Sequence, residues 1–280
     1  KITTQVRDYE QTFLKDRGFA IPDKVAQYSI NENLLGTTIS GSEIDKWQVP
    51  SDASYALTKP SHLVNQEPKT LSLEFKQGQV IAIDTKEFDT NIVGDDLSGE
   101  KLSGANLMRS LNQLGGDFGI GRGIYTGDTT IGLKGRIVYE CPALTMLNAA
   151  HTALEQVVLT KAQNRFKQQV AKQWTELVYE GLFYEPLKQD LEAFIASVQK
   201  QVTGKVTLTL SAGQALVVAV DSPFILQDGT SVYAQSAAWT IEEAQGFIKL
   251  FGKSTVLACH RSASKVGLNL FHKEASHVDS

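Results

Sequence analysis

Two stretches of the sequence are rich in side chains that can hold a small polar molecule. The first, residues 28–42, reads Y-S-I-N-E-N-L-L-G-T-T-I-S-G-S and combines hydroxyl and amide groups with one charge. The second, residues 127–140, reads G-D-T-T-I-G-L-K-G-R-I-V-Y-E and ends on a strand-like segment with a tyrosine. Such segments form plain surface turns in many proteins. They can also present neutral donors and acceptors to a zwitterionic ligand, and both interpretations stay open at this point.

Other candidate motifs favour structural roles. The glycine-rich run G-I-G-R-G at 119–123 follows a predicted helix, whereas a dinucleotide fingerprint follows a strand and opens a helix. His151 lies on the apolar face of a predicted helix without a second ligand at metal-site spacing, which favours a hydrogen-bonded core histidine. Cys141 precedes Pro142 at a helix start, where a thiol can be activated, but the simpler interpretation is that it is a small buried residue. We therefore predict no metal site and no catalytic nucleophile.

The hydrophobic spacing predicts strands and helices in separate blocks. Period-2 alternation predicts a hairpin over 71–83 and further strands over 131–139, 206–210 and 215–220. Helical spacing predicts helices over 3–17, 103–115, 144–158, 166–178, 187–198 and 240–251, with Gly115 as the end of the second. Because βαβ alternation is missing, the pattern favours an α+β fold: an antiparallel sheet with hairpins packed with several long helices, plus a C-terminal helical arm.

Bulk composition excludes several classes of protein. The chain has 280 residues, 42% of them hydrophobic, and a net charge of −4. An acidic chain without a basic patch is not typical of a nucleic-acid binder, and no apolar stretch has the length of a membrane helix. Cys141 and Cys259 are too few for a disulfide framework, so we expect a reducing cytoplasmic setting.

Three stretches resemble the argininosuccinate synthase family. They are residues 28–38 (Y-S-I-N-E-N-L-L-G-T-T), residues 131–140 (I-G-L-K-G-R-I-V-Y-E) and the block 159–206, within which E-L-V-Y-E-G at 176–181 and D-L-E-A-F-I at 190–195 are especially family-like. The resemblance runs from about residue 1 to residue 250, and several motifs in the same order make it specific.

The resemblance implies an AMP-forming ligase of arginine biosynthesis. In this family the ureido oxygen of citrulline attacks the α-phosphate of ATP, bound with Mg²⁺, and the amine of aspartate then displaces AMP to give argininosuccinate. This chemistry needs positioning and charge stabilisation rather than a protein nucleophile. The family also implies a cytoplasmic homotetramer, with no nucleic acid or membrane as partner.

Site residues follow from the resemblance position by position. Ser29, Thr38 and Tyr139 match positions that bind citrulline, and Thr38 stands where many members have serine. Asn31 matches a position near the nucleotide that is often aspartate. Gly127 stands where the family usually has a glutamate, twelve residues before the tyrosine. The neighbouring Asp128 is the candidate replacement, and a divergent branch of the family is the alternative.

The resemblance also implies a domain organisation. Residues 1–18 would continue from a nucleotide-binding domain with an S-G-G-x-D-T-type loop, which has no counterpart here; 19–235 would form the synthetase domain and 236–280 an oligomerisation arm. The helix over 240–251 would dock on a neighbouring subunit, or alternatively on its own domain. We therefore expect the chain alone to be inactive. Two alternatives stay open: a non-catalytic assembly module that kept the fold, and a free-standing amino-acid-binding domain.

Overall fold

The structure, a computed structural model, describes residues 2–20, 28–64, 67–84, 104–229 and 238–266. The chain divides into two compact units, Lys1–Leu226 and Gln227–Ser280. The predicted start of the C-terminal arm at residue 236 and the predicted helix start at residue 103, where Ser103 is a typical N-cap residue, lie outside the described residues, so both stay predictions.

The described residues form two antiparallel four-stranded sheets and a set of helices, which confirms the α+β prediction. The strands are β1 (Ser29–Asn33), β2 (Gly36–Ser40), β3 (Lys69–Lys76), β4 (Gln79–Asp84), β5 (Arg122–Asp128), β6 (Lys134–Glu140), β7 (Gly204–Ser211) and β8 (Gln214–Asp221). The helices are α1 (Ile2–Lys15), α2 (Ser42–Asp45), α3 (Gly104–Asp117), α4 (Pro142–Val158), α5 (Lys161–Tyr179), α6 (Pro186–Gln199), α7 (Ile241–Phe251) and α8 (Lys253–Val266).

The main core lies between one sheet and two helices. This sheet, with strand order β4-β3-β7-β8, is called the core sheet. From Leu71 in β3 and from Val206 in β7 onward, every second residue is buried, as the period of two in a strand requires. These residues pack against apolar positions of α3 and α4 in one cluster that includes Leu71, Leu73, Phe75, Leu111, Leu114, Met146, Leu154, Val206 and Leu208. Each fully buried side chain of this size contributes about 1.5–3 kcal/mol.

Close contact between α3 and α4 corrects one prediction. Gly115 does not end its helix; α3 continues to Asp117. A Cβ at position 115 would lie 2.8 Å from Pro142 Cβ and 2.9 Å from Met146 Cε. Glycine is therefore needed here for the approach of two helices rather than for a left-handed C-cap.

The long helices α5 and α6 form an antiparallel pair beside the core. Thr160 begins α5 with a reciprocal capping box to Gln163. The rings of Phe166 and Phe194 meet edge to face with centroids 5.1 Å apart, and Trp174 Nε1 donates to Glu192 at 3.0 Å. These contacts join the two helices along their length.

The C-terminal unit consists, in its described part, of α7 and α8. The sequence T-I-E-E at 240–243 predicts a capping box at the start of the helix over 240–251, and the structure confirms it, because Thr240 and Glu243 cap α7 reciprocally. The apolar residues of α7 are between 63% and 74% exposed: Ile241, Phe247, Ile248, Leu250 and Phe251.

A buried carboxylate organises the polar contacts behind the core sheet. The side chain of Glu155 is 4% exposed and pairs with Lys167 Nζ at 2.6 Å. Gln199 donates to Glu155 at 2.5 Å and its other amide atom lies 2.9 Å from His151 Nε2. His151 is thus a hydrogen-bonded structural residue, as its position on an apolar helix face predicted.

We predict that acid destabilises the fold through His151. Burial lowers the pKa of His151 below its ordinary 6.5. The positive charge of Lys167 lowers this pKa further, and the negative charge of Glu155 raises it by less than burial lowers it. Below pH 6.5, His151 therefore binds a proton more readily in the unfolded chain than in the folded chain. The free energy of unfolding falls as the pH drops below 6.5. Urea unfolding at several pH values from about 7.5 to about 5.5 should show a steeper loss for the wild type than for His151→Gln. Equal slopes would contradict this account.

Candidate functional site

Four of the predicted site residues lie on one face of the second sheet. This sheet, with strand order β1-β2-β6-β5, is called the polar sheet. Asn31 pairs with Thr38, Thr38 with Tyr139, and Tyr139 with Gly123, so they form one row across all four strands. Ser29 lies two residues before Asn31 and therefore on the same side of the sheet. Neighbouring members of the row are roughly 5 Å apart, within reach of one small ligand.

The face that holds this row is called the polar face. Strand alternation adds Asn33, Ser40, Tyr125, Gly127 and Ile137 to it. The acidic residues of the four strands, Glu32, Asp128 and Glu140, all alternate to the opposite face. Within these strands the polar face is therefore neutral: it offers hydroxyls, amides and aromatic rings, without a carboxylate.

The structure does not bring Asp128 to the other predicted site residues. Asp128 pairs in register with Lys134, on the face opposite to Tyr139. Its carboxylate forms an ion pair with Lys134 Nζ at 2.5 Å, and both side chains are 64% exposed. Because a step of one residue reverses the side of a strand, Gly127 occupies the polar face, and the carboxylate next to it does not replace a side chain there.

On the opposite face of the polar sheet, the two middle strands β2 and β6 pack in a small hydrophobic core. Tyr28, Ile39, Ile44 and Val138 are buried there. The Tyr28 hydroxyl donates to Glu43 at 2.9 Å. The backbone N–H of Ser51 also donates to Glu43 and lowers the pKa of its carboxyl to about 2, against the opposing effect of burial. Burial and this carboxylate raise the pKa of Tyr28.

A buried glutamate holds the polar sheet from behind. Glu140 is completely buried and directly follows Tyr139 in β6. Its carboxylate accepts backbone N–H groups from Ala56 at 2.8 Å, Leu57 at 2.9 Å and Thr58 at 2.8 Å, and the Thr58 hydroxyl at 2.7 Å. A buried charge is tolerated when it is fully hydrogen-bonded. Glu140 therefore fixes the segment 56–58 against the sheet.

Arg122 completes this support. Its Nε donates to the Thr58 hydroxyl at 3.0 Å and its Nη2 to the Thr58 carbonyl at 2.8 Å. Its Nη1 pairs with Asp52 at 2.8 Å, and the guanidinium lies 3.7 Å above the Tyr55 ring. Sequence reasoning missed Arg122 and Glu140. For Glu140 the sequence does contain a signal, because this acidic residue comes at the end of a predicted strand and shortly before a predicted helix.

A glycine supports the ring of Tyr139. Gly123 is its partner across the sheet, and a Cβ at that position would overlap the tyrosine ring. The ring thus lies over the bare backbone of β5. Any side chain at position 123 would move the Tyr139 hydroxyl, so the glycine sets where that hydroxyl lies on the polar face.

Neither a metal centre nor a membrane span is found in the described part of the chain. The described residues contain no group of three or more histidine, cysteine or acidic side chains arranged to hold a metal ion. They also contain no helix with the length and apolar character needed to cross a membrane. Cys141 Sγ lies 3.6 Å from the Thr145 hydroxyl at the start of α4.

The two sheets and their helices define an α+β domain with one neutral polar sheet face. The family described as "Arginosuccinate synthase C-terminal domain" matches residues 28–258. The chain is 49% identical to argininosuccinate synthase of Xylella fastidiosa over 93% of this chain and 62% of the relative. It is 38% identical to that of Methanocaldococcus jannaschii over 92% of this chain and 63% of the relative. The chain belongs to the argininosuccinate synthase family and spans about three fifths of the length of these curated relatives.

We predict that Glu140→Gln destabilises the domain by about 2–4 kcal/mol. In the wild type, the backbone N–H groups of residues 56–58 donate to the Glu140 carboxylate. In the variant, the side-chain NH₂ group replaces one acceptor oxygen, so some of these N–H groups lose their acceptor. Chemical denaturation measures the loss, and hydrogen exchange should rise at residues 56–58. Glu32→Gln, the same change in the same sheet at an exposed position, is the control and should alter stability by about 0.5 kcal/mol at most. Equal effects of the two variants would refute the anchoring role.

Proposed function

We propose that this chain is the citrulline-binding and assembly portion of argininosuccinate synthase. The whole enzyme would join citrulline and aspartate with ATP, and would release AMP and pyrophosphate. The observation that carries the proposal is the row of Asn31, Thr38 and Tyr139, with Ser29 beside it, across the polar sheet. Family membership supports the substrates, and the neutral chemistry of the row supports citrulline as the one bound here.

The ureido group of citrulline fits this row chemically. It is uncharged and carries both N–H donors and a carbonyl acceptor. The hydroxyls of Ser29, Thr38 and Tyr139 can each donate or accept. A site built from such groups favours ligands that satisfy each polar atom and rejects analogues that leave one unpaired.

The proposed role of the chain in the reaction is positioning. The ureido oxygen attacks the α-phosphorus of ATP, the bond to pyrophosphate breaks, and citrullyl-adenylate forms. The amine of aspartate then attacks the ureido carbon and AMP leaves. We assign no covalent catalyst to this chain: its hydroxyls would hold the ureido group in line for attack. Asn31, on the same face, would lie nearest the nucleotide.

ATP with Mg²⁺ would be bound mainly by the part of the enzyme that this chain does not match. The described residues contain no phosphate-binding glycine loop followed by a helix, because the run at 119–123 leads into β5. We therefore propose that the chain alone does not catalyse the reaction. The setting we propose for the whole enzyme is the cytoplasm.

The C-terminal unit would serve assembly. The exposed apolar residues of α7 form a face that water solvates poorly. We propose that this arm packs on a second copy of the chain within a homotetramer, and docking on its own domain is the alternative. Neither nucleic acid nor membrane is proposed as a partner.

A second candidate is a non-catalytic assembly module of the same family. Gly127 and Asn31 favour it, since each stands where the family has an acidic residue, usually at 127 and often at 31, and no carboxylate of the polar sheet lies on that face. A citrulline-binding domain that works without a partner is the third reading. The binding experiment below separates the three.

We predict that citrulline binds to the polar face once the rest of the enzyme is supplied. Isothermal titration would use this chain alone, then with the unmatched portion of the Xylella fastidiosa relative and a non-hydrolysable ATP analogue. Binding should appear or sharpen with the added portion. Thr38→Val and Tyr139→Phe should each weaken it roughly tenfold, because each removes one hydrogen bond to the ligand.

Asp128→Asn is the matched control, since its carboxylate faces away from the row and should leave affinity unchanged. Full affinity without the added portion would favour the free-standing binding domain. If the folded chain binds no citrulline either alone or with the added portion, the result would contradict the ligase proposal and favour the assembly module.

A further inference from the structure

A second tyrosine of the polar face lies over a second glycine. A Cβ at Gly127 would lie 2.5 Å from the Tyr125 hydroxyl oxygen and 2.7 Å from its Cζ. The ring of Tyr125 therefore lies along its own strand, over the backbone two residues on. Any side chain at position 127 would compete for the same space.

Hydrogen bonds hold this ring in place. The Tyr125 hydroxyl donates to the carbonyl oxygen of Asp128 at 3.2 Å. The Tyr179 hydroxyl, from the end of α5, donates to the same oxygen at 3.0 Å. The Asp128 carbonyl thus has a donor for each of its lone pairs, while Tyr125 stays 44% exposed. The result is an oriented aromatic surface on the polar face.

Of the two tyrosine rings that β5 and β6 place on the polar face, that of Tyr139 belongs to the residue assigned above to the ureido group, and that of Tyr125 is available to a cation. An α-amino acid brings an ammonium group, and the four strands place no carboxylate on this side of the sheet. The nearby Asp128 carbonyl already has two donors. An aromatic face attracts an ammonium group placed above it. We propose that the Tyr125 ring binds the α-ammonium of the amino-acid substrate, and that position 127 is glycine so that the ring can lie there.

The inference rests on the proposed function and identifies a specificity-determining residue within it. Ser29, Thr38 and Tyr139 would select the ureido end of the substrate, and Tyr125 would select the amino-acid end. Tyr125 and Tyr139 lie on neighbouring strands and on the same face, with Ile137 as the cross-strand partner of Tyr125. One extended molecule could therefore contact both rings.

The test compares two ligands that differ only in the ammonium group, L-citrulline and 5-ureidopentanoic acid. Titrations use the chain together with the unmatched portion of the Xylella fastidiosa relative. The wild type should prefer citrulline. Tyr125→Leu should lower citrulline affinity roughly three- to thirtyfold and leave the affinity for 5-ureidopentanoic acid unchanged. Tyr125→Phe keeps the ring, and Gly127 keeps the space for it, so this variant should retain most of the preference although it loses the hydrogen bond to the Asp128 carbonyl.

Gly127→Ala is the second perturbation, because it displaces the ring without removing it and should also reduce the preference. Thermal unfolding checks that each variant is folded. A preference for citrulline that is unchanged in both Tyr125→Leu and Gly127→Ala would overturn the role of Tyr125 and leave the proposed function standing. A wild type that binds neither compound would overturn the proposed function itself.

Discussion

The buried carboxylate of Glu140 is the interaction on which the candidate site depends. A charge removed from water costs several kcal/mol unless donors surround it, and here four hydrogen bonds from residues 56–58 do so. If residues 56–58 moved away from the sheet, the Glu140 carboxylate would stay buried without hydrogen-bond donors. Lys59 next to it bonds through its N–H to Gly116 of α3 at 2.9 Å, and Cys141 begins the link from β6 to α4. One carboxylate thus ties the polar sheet to the helices of the main core.

The division of the polar sheet into two faces follows from this support. The face toward the segment 52–58 buries Ile39 and Val138 and receives the charged residues that the anchor needs. The other face has no packing duty of this kind, so hydroxyls and amides can remain on it half-exposed. Two glycines of β5 then let tyrosine rings lie flat on that face. A packed opposite face and an exposed, neutral polar face suit the proposed task of positioning a substrate without covalent chemistry.

Much of the fold was predictable from periodicity, and the polar sheet was the main exception. The helices α4 to α7 and the hairpin of β3 and β4 repeat apolar residues at regular spacing, and this spacing predicts them. β1 and β2, S-I-N-E-N and G-T-T-I-S, lack a clean apolar alternation, and so does β5, R-G-I-Y-T-G-D, so none of the three is predicted as a strand. The face of Asp128 depends on strand register, which the sequence does not state. Glu140 binds residues 82 to 84 positions away, and no local pattern reports such contacts.

Methyl NMR on this chain, together with the unmatched portion of the Xylella fastidiosa relative, tests most directly whether the polar face is the substrate site. Thr38 and Ile137 carry methyl groups on the polar face, and their neighbours Thr37 and Ile39 carry methyl groups on the buried opposite face. On addition of citrulline, the signals of Thr38 and Ile137 should shift while those of Thr37 and Ile39 stay nearly unchanged. Citrulline binding that leaves Thr38 and Ile137 unchanged and shifts methyl groups elsewhere in the chain would contradict the account.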